Sequence, residues 1–200
     1  MRFFRRTPQD PRRLGIFPGT FNPPTRAHVA LGQAALERVD EVLFVLPRLL
    51  PHKSYEGVGL DGRLRIMESV ITLSPRFSLA STEKGLFADI AEECRRAYGP
   101  DVGLVLICGR DAAERAVEWD YGEPGAFRKM LGGFELLVAA RRGAFRIPSG
   151  LEDRFHLIEL SQEYEGLSAS MIREGIRLGE PWEHLVPPLI VPLVRELYAG

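Results

Sequence analysis

Residues 14–31 read Leu-Gly-Ile-Phe-Pro-Gly-Thr-Phe-Asn-Pro-Pro-Thr-Arg-Ala-His-Val-Ala-Leu. The apolar run Leu14–Phe17 predicts a short strand that feeds a Gly/Pro turn. A helix should start near Thr25, whose hydroxyl suits the N-cap position. His28 then falls in the first turn, on the same face as Thr25. A helix N-terminus presents unpaired N–H groups and a partial positive charge, so anions settle there. A hydroxyl and an imidazole at that end make a phosphate site chemically sensible. Read alone, the stretch also fits an ordinary capped turn with a surface His.

Working outward, Ala27, Ala30, Leu31, Ala34, Ala35 and Val39 recur at helical spacing, a face of mostly small residues that can lie close to a sheet. Glu41–Leu46, closed by Pro47, reads as a buried strand parallel to the first through a right-handed crossover. Helices are expected over 63–73, 88–98 and 126–131, with a further one starting at Ala112. Strands are expected over 77–80, 102–108, 134–140 and 155–160. Leu167-Ser-Ala-Ser-Met-Ile-Arg173 opens another helix, ended by Gly179 and Pro181, and the tail from Leu185 to Tyr198 reads as a docking helix. Strands and helices thus alternate six times. That pattern predicts a doubly wound, mostly parallel, Rossmann-like α/β sheet, with 1–200 one domain and about 161–200 a small helical portion.

In such sheets, ligands bind outside the carboxyl ends of the strands. Pro18–His28, Pro51–Lys53, Gly109–Asp111 and Arg141-Arg142 all fall at those ends, which argues for a nucleotide site.

The totals narrow the classes. The chain has 200 residues and a formal net charge of −1, so no global pull toward nucleic acid or a membrane surface is indicated. Cys94 and Cys108 lack CxxC spacing and neighbouring His, which speaks for two buried reduced thiols rather than a metal or disulfide framework. Met1-Arg-Phe-Phe-Arg-Arg6 lacks the long apolar segment of a signal peptide and reads as an added strand or a frayed end. No apolar run approaches the roughly 20 residues of a membrane span. The expected setting is the cytoplasm.

Gly57-Val-Gly-Leu-Asp-Gly62 matches GxGxxG literally, yet the preceding strand ends about ten residues earlier, so the dinucleotide-turn context is missing. Walker A, GxSxG, HExxH and kinase signatures are absent. Ser168 and Ser170 can each cap a helix, and Arg173 near its positive end suits a bound anion or a solvated side chain. Trp119 and Tyr121 suit either core cover or stacking on a planar ring. His52 could pack under Pro51. His156 and His184 show no partner and read as structural.

Taken together, these segments resemble the bacterial nicotinate mononucleotide adenylyltransferases of the nucleotidyltransferase α/β phosphodiesterase superfamily. Gly19-Thr-Phe-Asn-Pro-Pro-Thr-Arg-Ala-His28 is similar to the turn carrying the (His/Thr)-x-Gly-His signature, with Ala27 in place of its glycine and Thr25 in place of the first His. Pro51-His-Lys53 is similar to the Pro-Pro-His-Lys loop. Gly109-Arg-Asp111 followed by Trp119 is similar to the Gly-x-Asp segment and ring-contacting aromatic. Ser168-Ala-Ser-Met-Ile-Arg173 is similar to Ser-Ser-Thr-x-Ile-Arg, and Leu185-Val-Pro-Pro188 to the family's C-terminal end. Leu86-Phe-Ala-Asp-Ile90 departs from Ser-Tyr-Thr-x-Asp and keeps Asp89 alone.

The resemblance implies AMP transfer from ATP to nicotinate or nicotinamide mononucleotide, with Mg²⁺ riding on the triphosphate and no protein metal site. It implies catalytic roles for His28, Thr25 and Arg173. Gly19, Thr20, Phe21, His52, Lys53, Gly109, Asp111, Ser168 and Ser170 would hold ATP and its phosphates. Trp119, Tyr121, Asp89 and Arg141 would receive the acceptor. The partners expected are these small molecules, not nucleic acid or membrane, with a homo-oligomer left open. The alternatives are adenylyl or cytidylyl transfer to another phosphate acceptor such as phosphopantetheine, and a non-catalytic nucleotide-binding homologue.

Overall fold

The computed structural model describes residues 1–48, 57–119, 122–123, 125–140 and 145–198. The strands are β1 (Arg2–Arg5), β2 (Arg13–Pro18), β3 (Glu41–Pro47), β4 (Phe77–Thr82), β5 (Gly103–Gly109), β6 (Glu135–Ala140) and β7 (Phe155–Glu159). The helices are α1 (Arg26–Ala35), α2 (Leu60–Val70), α3 (Phe87–Tyr98), α4 (Arg110–Glu118), α5 (Ala126–Leu131), α6 (Ala169–Leu178) and α7 (Val191–Tyr198).

The strands form one sheet in the order β1-β4-β3-β2-β5-β6-β7. β2 to β7 pair in parallel, and β1 adds an antiparallel edge against β4. Without β1 this is the doubly wound Rossmann order, so the predicted class holds. Of the two readings of the N-terminus, the strand is the one observed.

Side chains alternate across each strand and fill two apolar layers. Phe17, Phe44, Phe77 and Ile107 face α1, α2, α6 and α7 through Val29, Met67, Ile172 and Val194. Leu14, Leu43, Leu106 and Leu136 face α3, α4 and α5 through Ile90, Ala113 and Leu131. Of the face expected on α1, Ala27, Leu31 and Ala35 are buried, and Gly32 beside them lets the helix lie close, because a Cβ there would come within 2.8 Å of the Phe44 ring.

Three boundaries differ from expectation. α1 stops at Ala35, so Val39 packs into the core from the following turn rather than from the helix. α2 starts at Leu60, directly after Gly59, so the helix begins three residues ahead of the expected Arg63 and takes in the end of the 57–62 glycine run. The tail is helical only over Val191–Tyr198, preceded by single 3-10 turns at Glu183–Leu185 and Pro188–Ile190.

The order of the sheet creates one topological switch point, between β2 and β5. The chain leaves β2 toward α1 on one face and leaves β5 toward α4 on the other. The N-termini of two helices therefore flank one crevice at the carboxyl edge, where ligands bind in open α/β sheets.

Candidate active site

At the end of β2 the chain makes a tight turn. Gly19 N–H donates to Val45 O at 3.0 Å, extending the sheet by one bond. That bond engages the Gly19 N–H within the sheet. Gly19 serves the turn in another way: a Cβ there would meet the Phe21 ring at 2.7 Å. Phe21 adopts φ 45°, a left-handed conformation that costs a non-glycine residue about 1–2 kcal/mol. Burial of its ring, 1 % exposed, between Phe17, Phe44 and His28 opposes that cost. The Phe21 side chain is therefore core and a support for His28, and not a phosphate ligand.

Three side chains from distant elements hold this turn. Arg63 of α2, almost fully buried, donates from Nη1 to Thr20 O at 2.9 Å. Arg173 of α6 donates from Nη1 to Asn22 O at 2.7 Å. Tyr198 of α7 donates its hydroxyl to Asn22 Oδ1. Sequence reasoning missed Arg63, Asn22 and Tyr198. A signal existed for Arg63, which shares the buried stripe of α2 with Met67 and Val70.

Thr25 is the N-cap of α1 and fully buried. Its Oγ1 accepts from His28 N–H at 3.3 Å, and its own N–H donates to His28 Nδ1 at 2.9 Å. This is a capping box with His where Glu or Gln is usual. Because Nδ1 accepts the Thr25 N–H, the neutral ring carries its proton on Nε2. Phe21 packs edge-on against the same ring, with centroids 5.3 Å apart. His28 is thus fixed in tautomer and orientation at the positive end of a helix. Ala27, between them, is 1 % exposed, so its methyl lies within the protein and not in the crevice.

Across the crevice, Gly109 is the N-cap of α4, and a Cβ placed there would meet open space. Asp111 is exposed in the first turn of α4. On α6 the structure separates the two serines. Ser168 is the N-cap and accepts from Met171 N–H at 3.3 Å, whereas Ser170 lies inside the helix and accepts from Arg173 Nη2 at 3.3 Å. Arg173 sits beyond the first turn and binds Asn22 O, which makes it a brace between α6 and the turn after β2.

Between α3, α4 and α5 lies a cavity of about 650 Å³, walled by Leu86, Phe87, Ala112, Ala116, Trp119 and Met130 among others. Trp119, 44 % exposed, faces it from the end of α4. Arg115 and Lys129 also line it. Asp89 sits in the first turn of α3, where a carboxylate complements the helix dipole, and it does not wall this cavity. His52, Lys53, Tyr121 and Arg141 lie outside the described residues.

The opposite edge of the sheet holds a separate network. Arg13 passes over Gly103 to pair with Glu135 at 2.9 Å, and His156 Nε2 meets the same carboxylate at 2.6 Å. His156 therefore has a partner, contrary to the sequence reading. Burial raises the Glu135 carboxyl, but the Arg13 and His156 hydrogen bonds outweigh it and hold the group below its ordinary range. Among the described residues, no three His, Cys, Asp or Glu side chains gather to hold a metal ion.

The chain resembles known proteins over nearly its full length. It is 26 % identical to a probable nicotinate-nucleotide adenylyltransferase of Carboxydothermus hydrogenoformans, covering 88 % of this chain and 91 % of that one. It is 28 % identical to its counterpart in Shouchella clausii, covering 92 % and 95 %. In fold it matches the Plasmodium falciparum nicotinic acid mononucleotide adenylyltransferase complexed with NaAD. That match has a TM-score of 0.72 at 18 % identity and covers 92 % of this chain and 95 % of the other. The Cytidylyltransferase-like family model matches residues 16–175. With the helix starts at the switch point and the family model running from within β2 into α6, the chain belongs to the cytidylyltransferase-like family.

Proposed function

We propose that the protein transfers AMP from ATP to nicotinate mononucleotide or nicotinamide mononucleotide, giving the dinucleotide and pyrophosphate, a step of NAD biosynthesis. The observation that carries the reading is the position of the Thr25–His28 pair. It stands at one lip of the switch-point crevice, with Gly109 and Asp111 beginning the helix at the other. The names of the relatives support the same reading.

An acceptor phosphate oxygen attacks the α-phosphorus of ATP. The bond from that phosphorus to the bridging oxygen breaks, and pyrophosphate leaves with the electron pair. No protein nucleophile is needed, so catalysis is positioning and charge stabilisation. His28 donates its Nε2 proton to an α-phosphate oxygen as charge builds there. The N-terminus of α1 adds its dipole. Thr20 and the N-terminus of α6 at Ser168 receive the remaining phosphates, together with His52 and Lys53. Arg173 and Ser170 act by holding the turn. Asp111 takes the ribose hydroxyls.

Trp119 stacks on the acceptor ring in the α3–α4–α5 cavity, with Asp89, Tyr121 and Arg141 on the acceptor side. Mg²⁺ would be delivered with the ATP that Thr20, Ser168, His52 and Lys53 hold, and would supply compensation for the charge of the leaving pyrophosphate. The donors at the crevice suit anions, which fits a cation delivered with ATP. Among the described residues no helix is long and apolar enough to cross a membrane. The two cysteines are free and buried, which supports a cytoplasmic setting.

The test is pyrophosphate release with ATP, Mg²⁺ and, in turn, nicotinate mononucleotide, nicotinamide mononucleotide and phosphopantetheine. Release with a pyridine mononucleotide is expected. Release with phosphopantetheine alone, or ATP binding with no release at all, would overturn the reading.

A further inference from the structure

We propose that Tyr198, the last residue of α7, is a positioning residue for the transfer step, acting through Asn22 on the turn that presents Thr25 and His28. The inference rests on the adenylyl-transfer reading above. Asn22 is 4 % exposed and is the junction of the turn. Its carbonyl accepts from Arg173, and its side-chain Oδ1 accepts from the Tyr198 hydroxyl. The Tyr198 bond holds one end of the amide, and Gly57 packs against the group as a whole, near Oδ1 and Cγ as well as Nδ2. A Cβ on Gly57 would come within 2.8 Å of Nδ2, and Gly57 has φ 105°, so glycine alone fits this approach without strain.

Asn22 also follows Phe21 directly. Any shift of Asn22 therefore moves a ring that lies 5.3 Å from His28, in a backbone conformation with little freedom to absorb the change. Arg63 and Arg173 grip backbone carbonyls of the turn, whereas Tyr198 grips a side chain. The hydroxyl is thus a contact that orients the amide. Its base is firm: Val194 of α7 is fully buried, and Arg195 pairs with Glu183 at 2.7 Å. A group placed about 1 Å from its reacting position can lose up to 100-fold in rate. A contact 176 residues away in sequence thereby acts on the orientation of the donor at the α-phosphate.

The experiment compares Tyr198→Phe, Asn22→Ala and the double variant. Tyr198→Phe removes one hydroxyl from a partly buried ring and leaves the packing of α7 in place. The expected result is a fall in kcat of about tenfold with KM for the acceptor unchanged. Amide hydrogen exchange over residues 19–25 should quicken by a similar factor, while the thermal midpoint moves by less than about 2 °C. The double variant should lose no more than Asn22→Ala alone, since both act through one contact.

Wild-type kcat in Tyr198→Phe overturns the proposal, whether or not exchange quickens, and so does a double variant whose loss is the product of the two single losses. Should the wild-type protein transfer AMP to none of the acceptors, the functional reading fails. Exchange over residues 19–25 then decides the positioning role: faster exchange in Tyr198→Phe supports it, and wild-type exchange overturns it.

Discussion

Thr25 and His28 cap helix α1 reciprocally, each backbone N–H donating to the other's side chain, at 2.9 and 3.3 Å. The cap and the proposed phosphate donor are therefore one structure. A proton on Nδ1 would face the Thr25 N–H, so the geometry favours the tautomer that donates from Nε2.

The two duties of His28 can be separated by substitution. His28→Ala should lower turnover by about 100- to 1,000-fold with ATP affinity little changed. It should also cost about 1 kcal/mol of stability through the lost cap. His28→Asn can keep an acceptor near the Nδ1 position, so it should recover the stability and not the turnover. Steady-state kinetics, binding of α,β-methylene-ATP and urea unfolding read these effects. Equal turnover in His28→Ala and wild type would sink the assigned role.

Trp119 lines the α3–α4–α5 cavity while nearly half exposed. A ring stacked there contributes about 0.5–1.5 kcal/mol beyond its buried area. Trp119→Ala should therefore raise KM for the pyridine mononucleotide about tenfold and leave KM for ATP unchanged, with Trp119→Phe recovering most of the loss. A rise in the ATP constant instead would move Trp119 to the other subsite.

Cys94 and Cys108 are buried, and burial pushes both thiols up to about 12. The thiolate is the reactive form, so neither group should react with an aromatic disulfide reagent at pH 8 in the folded protein. Both should react once the protein is unfolded in guanidinium. Rapid stoichiometric labelling of the native protein would contradict the buried positions.

Glu135 is held below its ordinary range, burial being outweighed by Arg13 and His156. A carboxyl whose folded-state pKa is lowered contributes stability above its unfolded value, near 4.5, and loses it as pH falls through the lowered value. Glu135→Gln should lower stability by about 1 kcal/mol at pH 7. The difference from wild type should fade below about pH 4. Thermal midpoints across pH 3–7 provide the check, and a constant difference would rule out the ionic origin.

The alternation of apolar strands and amphipathic helices, and the start of α1 at Thr25, follow from local spacing and were legible in the chain alone. The placement of Pro18–His28 and Gly109–Asp111 at the carboxyl edge was also legible, because a parallel sheet with crossover helices puts those loops on one edge. Ala27 could not be judged so: it departs from a glycine position, and only packing shows its methyl turned inward.

Other relationships had no local signature. Arg173 reads as an anion ligand by its place near a helix start, yet the fold brings its guanidinium to Asn22 O. His156 has no partner nearby in sequence, yet parallel pairing of β6 and β7 sets it beside Glu135. Helical and strand periods act over three or four residues, so the sequence by itself determined the elements, the cap and the carboxyl edge on which the Thr25–His28 turn lies. The brace of Arg63, Arg173 and Tyr198 on residues 20–22 was decided only by the tertiary structure. Its hydrogen bonds join groups 43, 151 and 176 residues apart, and no local periodicity encodes such a distance.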